Sequence, residues 1–319
     1  MNIHPKEPYL VTVGEVLAVL AAPEPGPLAV GAGMRLGLAG AESNVAVGVS
    51  RLGGAAVWIG RVSEDALGEL TLREFRAEGV TALATRDSAP TSLLLKERRT
   101  ATHSRTRYYR THTVGSRLSV RDIPEDAVAG AAVLHITGIT PALGTGPALA
   151  VRRAVDIAVA AKVPVSLDIN FRSLLWTEAE ARQNLLPLLC MSDVVFAGMH
   201  EARLMVPHAQ DPEELAKAIC ELGPGGAVLK LGAEGAFALI DGRPYRQPAV
   251  PVTVHDSIGA GDAFAAGYLA ELLAGEPPER RLRTAALLGA FAVSTTGDWE
   301  GLPRRFELAL LDHHDDVVR

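Results

Sequence analysis

Between Asp256 and Leu269 the chain reads Asp-Ser-Ile-Gly-Ala-Gly-Asp-Ala-Phe-Ala-Ala-Gly-Tyr-Leu. The small residues Gly259, Ala260 and Gly261 open an apolar, helix-forming run and put a carboxylate, Asp262, into its first turn. Backbone N–H groups at such a start can approach a ligand closely, and the helix dipole makes them an anion site. A carboxylate next to a bound phosphate is repelled unless it takes a proton from a hydroxyl attacking the phosphorus, so the pattern implies phosphoryl transfer. The bland alternative is a helix capped by Asp256 or Ser257, with Asp262 merely favouring its positive end.

A second small-residue stretch, Gly37-Leu-Ala-Gly-Ala-Glu-Ser-Asn44, leads into another apolar helix. Gly40 and Ala41 leave room for a ligand, and the Asn44 amide sits one turn inside, where burial obliges it to find partners. Asp168, Asn170 and Arg172 alternate at the end of an apolar strand, so the reading places them on one polar face at the edge where open sheets collect ligands. Arg107-Tyr-Tyr-Arg110 offers two guanidiniums able to grip a carboxylate, although such a strand is as readily a solvated face. Lys230-Leu-Gly-Ala-Glu-Gly235 is a turn in which Gly232 and Gly235 permit close approach, and an ordinary hairpin reads the same way. The chain contains no Walker A loop, dinucleotide glycine fingerprint, zinc-protease helix or serine-hydrolase elbow.

The elements that must position these residues alternate from Tyr9 onward between short β-branched runs and longer Ala-rich or amphipathic runs, the pattern of a parallel sheet with helices on both faces. Strands are expected at 10–13, 56–59, 133–136, 165–168, 194–197, 227–231 and 236–240, and helices at 42–52, 67–78, 147–161, 178–189, 212–222, 260–274 and 279–294. Two stretches, 28–38 and 91–110, read as extra strands without crossover helices and are expected to form a small separate sheet. The first strand is expected to run on through Gly14-Glu15 into Val16-Leu17.

With 319 residues, 48% of them hydrophobic, the chain suits one larger α/β unit. A net charge of −6 and only short basic clusters, Lys96-Glu-Arg-Arg99 and Glu279-Arg-Arg-Leu-Arg283, argue against nucleic acid. No run of about 18 apolar residues marks a membrane span, and the N-terminus lacks signal-peptide order. Cys190 and Cys220 read as reduced core thiols, and a cytoplasmic location is expected. The tail His313-His-Asp-Asp316 reads as a solvated terminus rather than a metal site.

The segments Asp256–Phe264 and Gly37–Gly53 resemble the two signatures of the ribokinase-like (PfkB) carbohydrate kinases, and the resemblance covers roughly the whole chain. It implies a three-layer α/β/α fold over residues 1–319, a β-lid formed by the 28–38 and 91–110 strands, ATP and Mg²⁺ as cosubstrate and cofactor, and an oligomer of identical chains joined through the lid. It implies that Asp262 is the base, with Gly259, Ala260 and Gly261 around the transferred phosphate. Lys230, Gly232 and Gly235 would belong to the nucleotide side. Glu201 matches the acidic end of the family's Asn-x-x-Glu motif and would hold magnesium through water, though Gly198 stands where that motif has Asn. The loop Ser294–Pro303 would line the adenine pocket or hold K⁺. Within the family, Gly40–Asn44, Arg107–Arg110, Ile136–Leu143, Asp168–Trp176 and Gly297–Gly301 are most similar to kinases of 2-keto-3-deoxygluconate. The resemblance therefore implies a sugar acid bound by Gly40, Ala41, Asn44, Tyr109, Arg110 and Arg172. Leu94 stands where such kinases can have a tyrosine. A kinase of fructose, ribose or a nucleoside, and a non-catalytic sensor that kept the fold, stay open.

Overall fold

The computed structural model describes residues 7–100 and 103–312, so the His313–Asp316 tail lies outside the described residues. In chain order the strands are β1 (Tyr9–Val13), β2 (Leu17–Ala21), β3 (Arg35–Ala39), β4 (Ala55–Ser63), β5 (Thr81–Asp87), β6 (Ser92–Arg98), β7 (Ser104–Tyr109), β8 (Val133–Thr137), β9 (Val165–Asp168), β10 (Val194–Gly198), β11 (Gly226–Lys230), β12 (Ala236–Ile240) and β13 (Arg243–Gln247). The longer helices are α1 (Ala41–Arg51), α2 (Ala66–Ala77), α4 (Thr145–Ala160), α5 (Glu178–Leu189), α7 (Pro212–Cys220), α8 (Ala260–Leu273) and α9 (Pro278–Val293), with α3 (Glu125–Ala129) and α6 (Met199–Met205) as short ones.

Nine strands form one sheet in the order β13-β12-β11-β10-β9-β8-β1-β4-β5, parallel throughout except where β12 joins β11 and β13. Strands such as Tyr-Leu-Val-Thr-Val of β1 are buried along their whole length because helices cover both faces. One face carries Val11, Val13, Leu134, Ile136 and Leu167 against α4, α5 and α7. The other carries Leu10, Trp58, Val133 and Phe196 against α1, α8 and α9. The middle strands all end at the edge where the N-termini of α1 and α8 lie, and that edge is where the polar residues gather. Among the described residues no helix is long and apolar enough to cross a membrane.

The second sheet, β3-β2-β6-β7, is small and is the one expected to act as a lid. Its composition corrects two readings of the sequence. The first strand does not run through Glu15: the chain leaves the large sheet at Gly14, whose N–H donates to the Ile59 carbonyl at 3.0 Å, and Leu17–Ala21 becomes the second strand of the lid. Only the C-terminal part of 28–38 is extended, as Arg35–Ala39, because Gly26, Pro27, Gly31 and Gly33 break up what precedes it. The cysteines are not core residues: Cys190 is exposed just past α5 and Cys220 is half-buried at the end of α7. The two strands that periodicity did not reveal, β5 and β13, are the edges of the large sheet. There one side of the strand is open to solvent, so polar residues and Pro244 are tolerated.

Candidate active site

Gly259 takes a left-handed backbone (φ +75°) as the residue before α8, and a side chain there would come within 3.0 Å of the Asp298 carbonyl. Glycine is therefore required by conformation and by space. The first N–H groups of α8 have no partner inside the helix. A side chain at Gly261 would touch Lys230 Nζ at 3.2 Å, so the ammonium at the end of β11 stands beside these amides. The amides and the helix dipole favour an anion here, and the ammonium beside them is shared with Asp168.

Asp262, in the first turn of α8, is 7% exposed, and both its oxygens are held: Asn44 Nδ2 donates to Oδ2 at 2.8 Å and Asn170 Nδ2 to Oδ1 at 3.1 Å. Asn44 comes from α1, whose approach is set at Gly40. A side chain at Gly40 would run into the Glu15 carbonyl at 2.4 Å and Ser43 Oγ at 2.7 Å. The amide for which the sequence demanded partners thus finds carboxylates of the protein itself, Asp262 and, at 3.3 Å, Asp298. Burial pushes the Asp298 carboxyl up to about 7; the Asn44 bond and Lys96 oppose this, while Asp262 and Glu300 add to it.

The expected face of Asp168, Asn170 and Arg172 does not form. β9 ends at Asp168, and the chain turns away through Asn170 at φ +41°, a conformation asparagine tolerates. Asp168 stays buried and accepts from Lys230 Nζ with both oxygens, at 2.9 and 2.7 Å. Burial would pull Lys230 down, but Asp168, Glu201 and Asp262 outweigh it and hold the ammonium above the ordinary lysine range. Asn170 turns inward to Asp262, and Arg172 ends exposed, donating only to the Phe171 carbonyl at 3.3 Å. Gly232 and Gly235 bracket the hairpin turn from β11 to β12.

Glu201 closes the start of α6, accepting from Gly198 N at 2.6 Å and Phe171 N at 2.8 Å. A side chain at Gly198 would meet Glu201 only at an ordinary 3.4 Å, so glycine is not imposed there by the fold. Among the described residues no three metal-ligating side chains converge on one point. Asp168, Glu201 and Asp262 nevertheless surround a single ammonium. That surplus of negative charge fits a divalent cation carried by phosphates and water rather than by a protein cage.

On the lid, strand parity separates the two tyrosines. Thr106 and Ser104 line a cavity of 760 Å³ between lid and body, Tyr108 shares their face, and Tyr109 stands on the other, half exposed. Arg110 is paired with Glu15, and its guanidinium lies 4.8 Å over the Tyr108 ring, so its charge is already matched. Leu94 is buried opposite Tyr108. The structure therefore brings Gly40, Asn44, Gly259, Gly261, Asp262 and Lys230 into one centre and leaves Arg172 and Tyr109 at its margin. Sequence reasoning missed Asp298 and Lys96 as members of that centre. Asp298 was signalled only by its place between Gly297 and Trp299, and Lys96 looked like one more surface cation.

Residues 7–305 match the family model described as pfkB family carbohydrate kinase. A 2-dehydro-3-deoxygluconokinase of Bacillus subtilis (strain 168) is 34% identical over 304 residues, covering 94% of each chain. One from Thermoproteus tenax is 34% identical over 300 residues, 92% of this chain and 91% of the relative. The crystal structure of a PfkB protein from Polaromonas sp. JS666 superposes with a TM-score of 0.86 at 34% identity, covering 94% of this chain and 98% of that one.

Proposed function

Because the chain belongs to the pfkB family of carbohydrate kinases, we propose that it transfers the γ-phosphoryl group of ATP to the terminal hydroxyl of 2-keto-3-deoxygluconate (2-dehydro-3-deoxygluconate), giving the 6-phosphate. The observation that carries the reaction is the placement of Asp262: a carboxylate gripped by two amides, in the same first turn as the free N–H groups of α8 and near Lys230. The names of the Bacillus subtilis and Thermoproteus tenax relatives support the substrate.

In this reading the terminal hydroxyl approaches Asp262, which accepts its proton as the oxygen forms a bond to the γ-phosphorus and the bond to the departing ADP oxygen breaks. Asn44 and Asn170 keep the carboxylate oriented, since each donates to one oxygen and leaves the remaining lone pairs for the hydroxyl. The amides of α8 and the Lys230 ammonium receive the charge that accumulates on the transferred group. When bound, Mg²⁺ supplies neutralisation of the phosphate oxygens, and Asp168 and Glu201 are the residues to hold it through water. Arg172, and Arg110 on release from Glu15, serve the acid's carboxylate, with Gly40 and Ala41 leaving room for the sugar chain. Gly232 and Gly235 make space for the nucleotide. The loop at 294–303, which reaches the cavity at Thr296–Asp298, would carry any requirement for K⁺. The same reading has the enzyme working in the cytoplasm as an oligomer of identical chains joined at the open lid edges β3 and β7.

A second reading, a kinase for a neutral sugar, is favoured by the pairing of Arg110 with Glu15, which leaves the clamp with one fewer uncommitted cation. ATP consumption with Mg²⁺, compared across 2-keto-3-deoxygluconate, fructose, ribose and adenosine at equal concentration, decides between them. A clear preference for the keto acid is expected. Preference for fructose or ribose discards the sugar acid and keeps the kinase. Light scattering at micromolar concentration that finds only monomer removes the oligomer.

A further inference from the structure

The ion pairs Arg110–Glu15 and Lys96–Asp256 both tie the lid to the rest of the molecule, and they do different jobs. Arg110–Glu15 lies at the hinge side, since Glu15 belongs to the very segment by which the chain crosses from β1 into the lid. Lys96–Asp256 lies across the mouth of the cleft: Lys96 is on the lid strand β6, and Asp256 belongs to the loop that becomes the Gly-Ala-Gly turn of α8. The side chains of this second pair are only 16% and 13% exposed, so it is no surface contact. Ala21 stands beside Lys96 in the sheet register and leaves its side chain room. The lid's separate apolar cluster is small, consisting of Val19, Ala39 and Leu94, while Val16 and Leu38 tie it to the core of the body, so Lys96–Asp256 adds a charged link on the cavity side to an apolar one.

Asp256 is positioned to pass that link on. Its other oxygen accepts the N–H of Ile258 at 3.2 Å, shaping the turn that delivers Gly259. The loop is otherwise anchored only from behind, by His255 and Asp256 N–H groups on the Val293 carbonyl. Lys96 has a second route inward. It is close enough to Asp298 to oppose the rise in that carboxyl's pKa, and Asp298 shares the Asn44 amide with Asp262.

We propose that Lys96 is a positioning residue of the phosphoryl transfer: with the lid down, its ammonium fixes the Asp256 turn and the Asp298–Asn44–Asp262 chain, and lid opening withdraws it. Chemistry is thereby coupled to closure, because the α8 amides and the base are held in register only when the cation has arrived from the lid. The inference rests on the phosphoryl-transfer reading but not on the identity of the sugar.

The test uses the full-length enzyme with Lys96→Met, which keeps the bulk of the side chain and removes its charge, and Lys96→Arg, which keeps the charge. In amide exchange without substrate, Lys96→Met is expected to lose protection at 257–263 together with β6 and β7, by at least about 10-fold, while β1 and β8 are unchanged. In turnover with ATP, Mg²⁺ and whichever sugar the wild type accepts, kcat is expected to fall about 10- to 100-fold and the KM for ATP by no more than about 3-fold either way. Lys96→Arg is expected to recover most of both. A rise in sugar KM at unchanged kcat would make Lys96 a substrate contact and overturn the proposal. So would loosening of the lid without the 257–263 turn, or an arginine variant as slow as the methionine one. A wild type that phosphorylates none of the sugars would defeat the kinase reading, while the exchange result would still decide whether Lys96 holds the turn.

Discussion

Asp262 is gripped by amides from α1 and from just past β9, elements buried on every side, whereas one wall of the cavity beside it stands on a four-stranded sheet whose separate apolar cluster is Val19, Ala39 and Leu94, with Leu38 packed into the body's core. The body wall presents Asp256, Asp298 and Glu300 to the cavity, and the lid wall presents Arg35, Lys96 and Arg98. The difference divides labour. In the proposed reaction, groups that must be placed to within a fraction of an ångström are rooted in the packed core, and the groups proposed to come and go are carried on the separate small sheet. Opposite charges on the two walls favour closure once the distance is short.

The sharpest way to probe the body wall is to remove a charge from inside it. Lys230→Met leaves the buried Asp168 carboxylate without its cation and is expected to cost about 3–5 kcal/mol, read as a lower urea midpoint. If the midpoint is unchanged, the body wall is not the rigid partner of the comparison. Asp262→Asn keeps the shape of the centre and removes the base. Turnover should drop by at least about 100-fold with sugar binding nearly intact, and a mutant near the wild-type rate would take Asp262 out of the base role.

The two arginines then separate lid from margin. Arg110→Ala leaves Glu15 buried and unpaired and is expected to lower thermal stability by about 1.5–3 kcal/mol as well as activity. Arg172→Ala, at an exposed position, should raise the sugar-acid KM about 10-fold and leave the melting temperature where it was. Equal behaviour of the two would erase the distinction.

A pH-dependent effect concerns Glu42, whose Oε1 accepts from Thr137 and Thr140, both at 2.7 Å, and whose carboxyl burial pushes up to about 7. A raised carboxyl pKa means the folded state holds the proton between roughly pH 4.5 and 7 while the unfolded chain has released it. Stability from this group is therefore greatest at the acid end and declines as pH rises through that window, by at most about 1.4 kcal/mol per pH unit. Glu42→Gln should flatten that decline in melting temperatures measured from pH 5 to 8. A mutant with the wild-type slope would assign it elsewhere, with Asp298 as the next group of the same sign.

The contrast also explains what could be read beforehand. The strands and helices of the body were legible because burial on both faces forces unbroken apolar runs, and β1, β8 and β10 lie within a residue or two of where periodicity sets them. Edge strands escape that rule: β5 and β13 carry Thr81, Arg86, Arg243 and Pro244 because one side sees water. Within the lid, the extra strands expected over 91–110 are Ser92–Arg98 and Ser104–Tyr109, but alternation did not say which face meets the cavity. Tyr109 was favoured for the sugar, and register puts Tyr108 on the cavity side.

By itself the sequence determined the layered fold, the anion-attracting turn at Gly259–Gly261, the carboxylate in its first turn and an amide at Asn44 that had to find partners. Each follows from local chemistry: glycine where backbone must come close, apolar periodicity where a face is buried, a polar group among apolar ones only where it is bonded. Only the tertiary structure decided who those partners are. Asn44 and Asp262 are 218 positions apart, Lys96 and Asp256 are 160 apart, and Lys230 and Asp168 are 62 apart. Contacts between residues so distant in sequence depend on how strands order themselves in a sheet and on which way each chain turns as it leaves it, and neither is written in the spacing of residues along the chain.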